Sequence, residues 1–134
     1  MDIILVDTSV WINFFKAKET EACLFLKNNT SNIIIATCPV IVQEVLQGIA
    51  NDHEFKVIDS YLNTLTKLRY NQYELAYNTA KLYRVLRKKG ITIRKPNDCL
   101  IATYAINSKI QLLNDDRDFQ FIAENSSLKV VNFN

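Results

Sequence analysis

The chain has few of the residues that interrupt regular structure, with only two glycines and two prolines in 134 residues. This scarcity argues against an all-β sandwich with many tight hairpins and favours long helices. Its three cysteines are an odd number and include no C-x-x-C pair, which predicts reduced, packed thiols rather than a disulfide framework or a zinc site. The single histidine, His53, precedes a predicted helix and is not favoured as a catalytic group.

Long hydrophobic runs are also missing. The longest apolar-rich stretch, residues 33–42, is far shorter than a membrane-spanning helix, and the apolar run before Asp7 is too short for a signal peptide. Because 49% of the residues are nevertheless hydrophobic, the sequence predicts a globular protein with a buried core. We expect a cytoplasmic protein with a single domain over residues 1–134.

Acidic residues are absent from one stretch, residues 81–95, which contains seven basic residues. The formal charge of the whole chain is +2, so the remainder of the chain carries −5. A basic stripe on an otherwise acidic protein suggests a polyanionic partner. Basic residues also collect near helix C-termini without any binding role, and the sequence leaves both interpretations open.

What the sequence does contain is an alternation of short apolar runs and longer helical patterns. The runs at residues 3–6, 33–36, 110–113 and 128–131 predict buried strands. Helices are predicted at about 8–15, 19–28, 52–67, 73–89 and 119–124, with two more beginning at Pro39 and Pro96. This alternation implies βαβ units, and hence an α/β fold with a mainly parallel sheet.

Two of the predicted helices carry a clear apolar stripe. The inward residues are Val42, Val45, Leu46 and Ile49 after Pro39, and Phe55, Ile58, Leu62 and Leu65 in the helix at 52–67.

Four acidic residues have related positions in this pattern. Asp7 follows the first strand directly, and Asp116 follows the strand at 110–113 after two residues. Asp98 lies in the first turn after Pro96, and Glu44 about a turn and a half after Pro39. In βαβ units the helix N-termini and the strand C-termini share one edge of the sheet, so all four carboxylates are predicted to converge there.

Such convergence has a chemical consequence. Two carboxylates about 4 Å apart repel by ~4 kcal/mol at an effective dielectric near 20, so the cluster requires protons or a cation. Oxygen ligands alone favour Mg²⁺ or Mn²⁺, and such ions suit phosphoryl chemistry. Taken singly, Asp7 and Asp98 also fit a capping or first-turn role, and the acidic residues at 115–118 fit an ordinary polar turn.

Four motifs in order give the chain a resemblance to a family. They are D-T-S-V-W-I at 7–12, P-V-I-V-Q-E at 39–44, N-D-C-L-I-A at 97–102 and L-L-N-D-D-R-D-F at 112–119. Together they resemble the PIN-domain nucleases, and most closely the VapC-type toxins of prokaryotic toxin–antitoxin pairs. The resemblance spans essentially the whole chain and implies a three-layer α/β/α sandwich around a mainly parallel, twisted sheet of four to five strands.

The resemblance also implies an activity, the cleavage of RNA phosphodiesters with Mg²⁺ or Mn²⁺. The residues that match the family's acidic, metal-binding and catalytic site are Asp7, Glu44, Asp98 and Asp116, with Asp115 left open as an alternative to Asp116. Supporting roles fall to Thr8, Ser9 and Asn114, the last standing where the family often has Thr or Ser. The basic residues expected to hold the RNA backbone are Arg84, Arg87, Lys88, Arg94 and Lys95.

Similar toxins are homodimers bound by a cognate antitoxin, which the resemblance therefore implies as a partner. A catalytically weak RNA-binding module, or an RNA-processing PIN protein without an antitoxin, remains open on sequence grounds. Two other classes fit less well. A receiver-type signalling module would need an acidic pair after the first strand, where D-T-S stands, and a haloacid-dehalogenase-type phosphatase would need Asp at the position of Ser9.

Overall fold

The apolar runs of the sequence form the centre of a parallel sheet in the computed structural model, which describes residues 1–133. Asn134, the last residue of the predicted domain, lies outside the described residues. The strands are β1 (Asp2–Val6), β2 (Ile33–Thr37), β3 (Thr66–Lys67) and β4 (Gln111–Leu113). The helices are α1 (Thr8–Phe15), α2 (Glu21–Asn29), α3 (Pro39–Gln47), α4 (Asp52–Leu62), α5 (Gln72–Lys88), α6 (Pro96–Ser108) and α7 (Asp118–Glu124).

Strand β1 lies inside the sheet, between β2 and β4, in the order β3-β2-β1-β4. Leu5 is opposite Ala36 of β2 on one side and Leu112 of β4 on the other, and all three strand pairs are parallel. Strands β2 and β3 follow one another on one side of β1, and β4 pairs with the other side of β1. Such a reversal leaves a crevice beyond the C-terminal end of the central strand, where open parallel sheets bind ligands. Asp7 is the first residue after β1.

The core lies against this central strand. Ile4, Leu5 and Val6 are buried, as expected for a strand covered on both faces. Trp11 of α1 is fully buried and stacks on Phe15, with 5.8 Å between the ring centroids. Helix α6 is buried over most of its circumference, so the sheet has helices packed closely against it. The predicted α/β fold is confirmed.

The region after Leu62 differs from the prediction. Helix α4 ends at Leu62 with Asn63 as its C-cap, whereas the apolar spacing predicted a helix to residue 67. Thr66 and Lys67 instead form β3, which pairs with the outer edge of β2 and satisfies backbone groups that the edge would otherwise leave unpaired. Phe55 was predicted to face inward but is 38% exposed, because the buried side of α4 is centred on Ile58 and Leu62.

One smaller prediction was also wrong, and another is confirmed. The run at 128–131 forms only an isolated bridge between Val130 and Leu112 of β4 rather than a strand. In α3 Val45 of the predicted stripe is buried, and Val42, Leu46 and Ile49 are partly buried and pack against the core. The predicted stripe is therefore confirmed, with Ile41 as a buried residue that it did not include.

The junction between α5 and α6 positions the second half of the site. Gly90 has a positive φ of 82°, which glycine adopts without strain. Its N–H donates to the Arg87 carbonyl at 3.0 Å, and the Ile91 N–H donates to the Leu86 carbonyl at 2.9 Å, which is the Schellman motif that ends many helices. The predicted helix end at Gly90 is confirmed, and the turn leads the chain back toward Asp98.

Among the described residues, no helix has both the length and the apolar character to cross a membrane.

Candidate active site

Four carboxylates from four separate segments line one cavity of about 430 Å³ beyond the C-terminal end of β1. They are the four that the sequence predicted to converge: Asp7, Glu44, Asp98 and Asp116. Thr8, Ser9 and Lys95 also line this cavity, which we call the acidic cavity. The parallel topology thus brings together residues up to 109 positions apart, from Asp7 to Asp116.

Asp7 has two roles in this arrangement. It is the N-cap of α1, and its Oδ2 accepts hydrogen bonds from the Ser9 N–H at 3.0 Å and the Ser9 hydroxyl at 2.6 Å. Its Oδ1 is buried without a hydrogen-bond partner among the described residues. Burial raises the pKa of Asp7 to about 6, although the hydrogen bonds from Ser9 act in the opposite direction. One oxygen therefore caps the helix, and the other is free to bind a ligand.

Asp98 presents a second unpaired oxygen. It lies in the first turn of α6, is 6% exposed, and its Oδ2 has no hydrogen-bond partner in the described part of the chain. Burial raises the pKa of Asp98 to about 7, and the negative charges of Asp7 and Asp116 add to this effect. A buried carboxylate oxygen without a partner is unfavourable. The two orphaned oxygens of Asp7 and Asp98 therefore fit a hard divalent cation such as Mg²⁺ or Mn²⁺.

Glu44 is held in place by two neighbouring side chains. The Thr8 hydroxyl donates to Oε1 at 2.7 Å, and the Asn97 amide donates to Oε2 at 3.4 Å. Thr8, which the resemblance placed among the supporting residues, thus contacts a carboxylate of the acidic cavity. Asn97 was quoted in the sequence only as part of a motif, because its contact with Glu44 exists only once α3 and α6 are packed together.

The adjacent residues Asp115 and Asp116 face in different directions. Asp116 lines the acidic cavity, where its Oδ2 accepts from Lys95 Nζ at 3.1 Å. Burial favours a higher pKa for Asp116, but the Asp118 N–H and Lys95 outweigh it and hold the pKa below its usual value. The Asp115 carboxylate instead accepts from the Asn13 amide at 3.0 Å and the Thr20 hydroxyl at 2.8 Å.

Ser9 joins these two parts of the site. Its hydroxyl donates to Asp7 and accepts from the Asp115 N–H at 3.0 Å. Asp115 is therefore an anchor between α1, α2 and the loop after β4, and Asp116 is the member of the pair that faces the acidic cavity.

The different contacts of Asp115 and Asp116 predict that one replacement lowers stability and the other lowers metal affinity. Replacing Asp115 with Ala should lower the free energy of unfolding by about 1–2 kcal/mol, because the partly buried donors on Asn13 and Thr20 lose their acceptor. Replacing Asp116 with Asn should change the free energy of unfolding by no more than about 1 kcal/mol from that of the unaltered chain, because the amide is nearly isosteric with the carboxylate. The same replacement should weaken Mn²⁺ binding. Urea denaturation and calorimetric titration with Mn²⁺ measure the two effects. Equal destabilisation by both substitutions would contradict the assignment.

A fifth carboxylate, Asp118, belongs to the same edge. One oxygen each from Asp98, Asp116 and Asp118 lie within 4.8 Å of one another, and Asp118 is buried and ion-paired with Arg94 at 3.0 Å. The sequence pattern around Asp118 predicts only an ordinary polar turn. The D-x-D spacing of Asp116 and Asp118 was the available signal for its place in the cluster.

The predicted RNA-binding residues fall into two groups. Arg94 and Lys95 lie at the site in ion pairs with Asp118 and Asp116. Arg84, Arg87 and Lys88 are exposed along α5, where the Arg87 guanidinium lies 5.8 Å from the centroid of the Tyr83 ring.

Two further residues complete the comparison with the sequence. Asn114, predicted to support the carboxylates, is half-buried and makes no side-chain hydrogen bond within residues 1–133. His53 is exposed at the start of α4 and does not line the acidic cavity.

Comparison with known proteins agrees with this geometry. The family model for the PIN domain matches residues 4–125. Ribonuclease VapC11 of Mycobacterium tuberculosis is 32% identical over 133 residues, which covers 98% of this chain and 99% of the relative. Two solved structures have TM-scores of 0.74: a DNA-bound VapBC from Salmonella typhimurium, 21% identical, and VapBC-1 from nontypeable Haemophilus influenzae, 19% identical. The alignments cover 98% of both chains for the first and 97% of both for the second.

Proposed function

The chain belongs to the PIN domain family, and we propose from this that it is a metal-dependent endoribonuclease, the toxin of a type II toxin–antitoxin pair. Its similarity to ribonuclease VapC11 covers nearly the full length of both proteins, which supports one PIN-like nuclease domain over residues 1–134. The observation that carries the proposal is the acidic cavity, with four carboxylates and two buried oxygens that have no hydrogen-bond partner in residues 1–133. A fold that tolerates this arrangement gains stability when a divalent cation binds.

Asp7 and Asp98 would hold Mg²⁺ or Mn²⁺ directly, and Glu44 and Asp116 would complete the site, directly or through water. When bound, such an ion supplies positive charge for the phosphate and lowers the pKa of water. Hydrogen bonds within the chain orient these carboxylates: the Ser9 hydroxyl donates to Asp7, and the Thr8 hydroxyl donates to Glu44. Hydrolysis adds a water oxygen to phosphorus and breaks the bond to the 3′ oxygen, which leaves 5′-phosphate and 3′-hydroxyl ends.

Lys95 contributes a positive charge inside the acidic cavity, 3.1 Å from Asp116. Its Nζ can donate more than one hydrogen bond, so the same ammonium group can hold Asp116 and contact a non-bridging oxygen of the bound phosphate. Among the predicted RNA-binding residues, it is the one that lines the acidic cavity.

A cleavage assay tests the proposed activity. The purified chain is incubated with a structured RNA and with Mg²⁺ or Mn²⁺, and the ends of the fragments are identified. We expect cleavage that stops in EDTA and returns when Mn²⁺ is added back. Undiminished cleavage in EDTA, or fragments with 2′,3′-cyclic phosphate ends, would contradict the mechanism.

The proposed partner is a cognate antitoxin protein, and the proposed setting is the cytoplasm, where the RNA substrate and the reduced cysteines both fit. Support comes from the fold, since the similar solved structures are of VapBC proteins. Expression of this chain alone should arrest growth, and co-expression with the protein encoded by the adjacent gene should relieve the arrest. Purification of the pair should then yield a stable complex, with this chain as a homodimer. A catalytically weak RNA-binding module is not favoured, because the complete set of carboxylates is present.

The basic residues of α5 provide a prediction for substrate binding. Replacing Arg84, Arg87 and Lys88 together with Ala should weaken RNA binding about tenfold and reduce the slope of log K against log salt by about 2, since each phosphate contact to a single strand contributes roughly 0.7. Helical content should not change, because all three side chains are exposed. Fluorescence anisotropy at several salt concentrations measures both quantities. An unchanged salt slope would mean that these three residues only form a solvated face of α5 and do not contact RNA phosphates.

A further inference from the structure

A second cavity, of about 460 Å³, lies at the N-terminal end of α3 and is separate in its lining from the acidic cavity. Its walls come from the end of β2, the first half of α3 and the segment at 67–72. We propose that this cavity binds one nucleotide of the RNA substrate, with a phosphate on Lys67 and Arg69 and the base in the apolar space behind them. The inference rests on the proposed ribonuclease activity and adds a substrate-binding site outside the acidic cavity.

The charge of the second cavity supports an anionic ligand. Lys67 and Arg69 line it and are exposed, and none of its lining residues is acidic. Lys67 Nζ donates only a 3.3 Å hydrogen bond to the Asn63 carbonyl, and Arg69 makes no side-chain hydrogen bond or ion pair within residues 1–133. By contrast, Arg94 and Lys95 are already paired with carboxylates. The two cations of the second cavity are therefore free to bind phosphate.

The interior of the second cavity suits a base. Pro39, Val42 and Leu68 contribute apolar surface, and the volume lies within the range of about 300–1,000 Å³ that is usual for small-ligand pockets. Thr37 also lines it, is only 1% exposed, and has no hydrogen-bond partner for its Oγ1 among the described residues. A buried hydroxyl without a partner is unfavourable, and the polar edge of a base supplies that missing hydrogen bond.

The second cavity is also fixed relative to the acidic cavity. Gln43 lines the second cavity and Glu44, the next residue of α3, lines the acidic cavity. Cys38, which lines the second cavity, has its pKa raised to about 12 by burial, with further contributions from the charges of Asp7 and Glu44. The two cavities thus lie on adjacent faces of α3, so that one RNA strand can place a phosphate in the acidic cavity and a neighbouring nucleotide in the second.

The alternative occupants fit the charge less well. A second copy of this chain in a two-fold symmetric contact would use the same patch of both subunits, and the lining of that patch has no acidic residue to pair with Lys67 and Arg69. A peptide segment of another protein would need acidic side chains to match them. RNA carries a regular negative charge and a flat apolar base, which correspond to both features of the second cavity.

Binding measurements test the inference in a chain that carries Asp7→Asn and Asp98→Asn, so that the RNA stays intact. A fluorescein-labelled RNA decamer of mixed sequence is the probe, and anisotropy is recorded over a range of salt. Adding Lys67→Ala and Arg69→Ala should weaken binding about tenfold and lower the salt slope by about 1.4, at roughly 0.7 per phosphate contact. The matched control removes two exposed lysines elsewhere, Lys27→Ala with Lys56→Ala, and should change affinity less than twofold. Equal effects of both pairs would overturn the inference.

A second variant, made in the otherwise unaltered protein, tests the site for the base. Thr37→Val keeps the shape of the side chain and removes the hydroxyl, so it should change the relative cleavage of RNA positions that differ in one flanking base by severalfold. If the relative cleavage of these positions did not change, the Thr37 hydroxyl would not contact a base.

Sedimentation velocity separates the remaining outcomes. Loss of a dimer by the Lys67 and Arg69 variant, with unchanged RNA affinity, would make the second cavity an interface between copies and overturn the inference. If the unaltered chain cleaves RNA but this variant binds like the control, only the nucleotide site fails. If the unaltered chain neither binds nor cleaves RNA, the proposed function fails with it.

Discussion

Replacing Asp98 with Asn should slow RNA cleavage by at least about 10³-fold. Asp98 presents to the acidic cavity a buried oxygen that has no hydrogen-bond partner among the described residues, and an amide at this position binds a divalent cation far more weakly than a carboxylate. Loss of the cation removes several kcal/mol of transition-state stabilisation, and about 4 kcal/mol corresponds to a thousandfold change in rate. Multiple-turnover cleavage at a Mn²⁺ concentration that saturates the unaltered chain measures the effect, and a higher Mn²⁺ concentration should restore only part of the variant's activity.

The matched control for Asp98→Asn is Asp52→Asn. Both residues lie in the first turn of a helix, Asp98 in α6 and Asp52 in α4, so both interact favourably with the helix dipole. Asp52 is exposed and does not line the acidic cavity, and its replacement should leave cleavage unchanged. If the two variants retained equal activity, Asp98 would be only a first-turn residue, as its position in the sequence alone also allows.

The convergence of the four carboxylates could be predicted because it follows from topology. Buried apolar runs such as residues 3–6 mark parallel strands, and a parallel sheet puts strand C-termini and helix N-termini on one edge. This topology alone is enough to predict that Asp7 and Asp98 lie near each other. Asp7 caps α1 with one oxygen, and its other oxygen has no hydrogen-bond partner in the part of the chain that the structure describes, so the capping role and the ligand role do not exclude each other.

The orientation of Asp115 and Asp116 could not be predicted in this way. The two residues are neighbours in one turn, and which of them faces the acidic cavity depends on Asn13 and Thr20, about 100 positions earlier. The same reason applies to Asn97, whose contact with Glu44 requires α3 and α6 to be packed. Local patterns determine which edge a side chain occupies, whereas its partners depend on tertiary contacts.

Strand β3 was missed for a related reason. Two exposed residues, Thr66 and Lys67, carry no hydrophobic periodicity, and their extended conformation comes from pairing with β2. The helical spacing of Ile58, Leu62 and Leu65 continues past the true helix end and therefore predicted a longer α4. This error has a functional consequence, because the misassigned segment contains Lys67 and leads directly to Arg69, both of which line the second cavity.

The metal-free protein should become less stable as the pH rises from about 4 to 8. Asp7 and Asp98 have pKa values of about 6 and about 7 in the folded chain, raised mainly by burial from 3.8. The folded state therefore prefers the protonated carboxyls. The stability that they contribute is fully present below pH 3.8 and is lost as the pH rises through the folded values. A shift of about two units corresponds to roughly 3 kcal/mol for Asp7.

Urea denaturation in EDTA at pH 5 and pH 8 measures this loss, which should reach on the order of 3–5 kcal/mol with both carboxyls included. Asp116 acts in the opposite direction, because its pKa is lowered, but only near and below pH 4. Asp98→Asn should stabilise the metal-free protein at pH 8 and flatten the pH dependence, since an amide has no charge to bury. Mn²⁺ should restore the stability of the unaltered chain at pH 8 and have little effect on the variant. Stability that stayed level or rose between pH 5 and 8 in EDTA would mean that the acidic cavity holds its charges without a cation, and the argument for a metal site would lose its energetic basis.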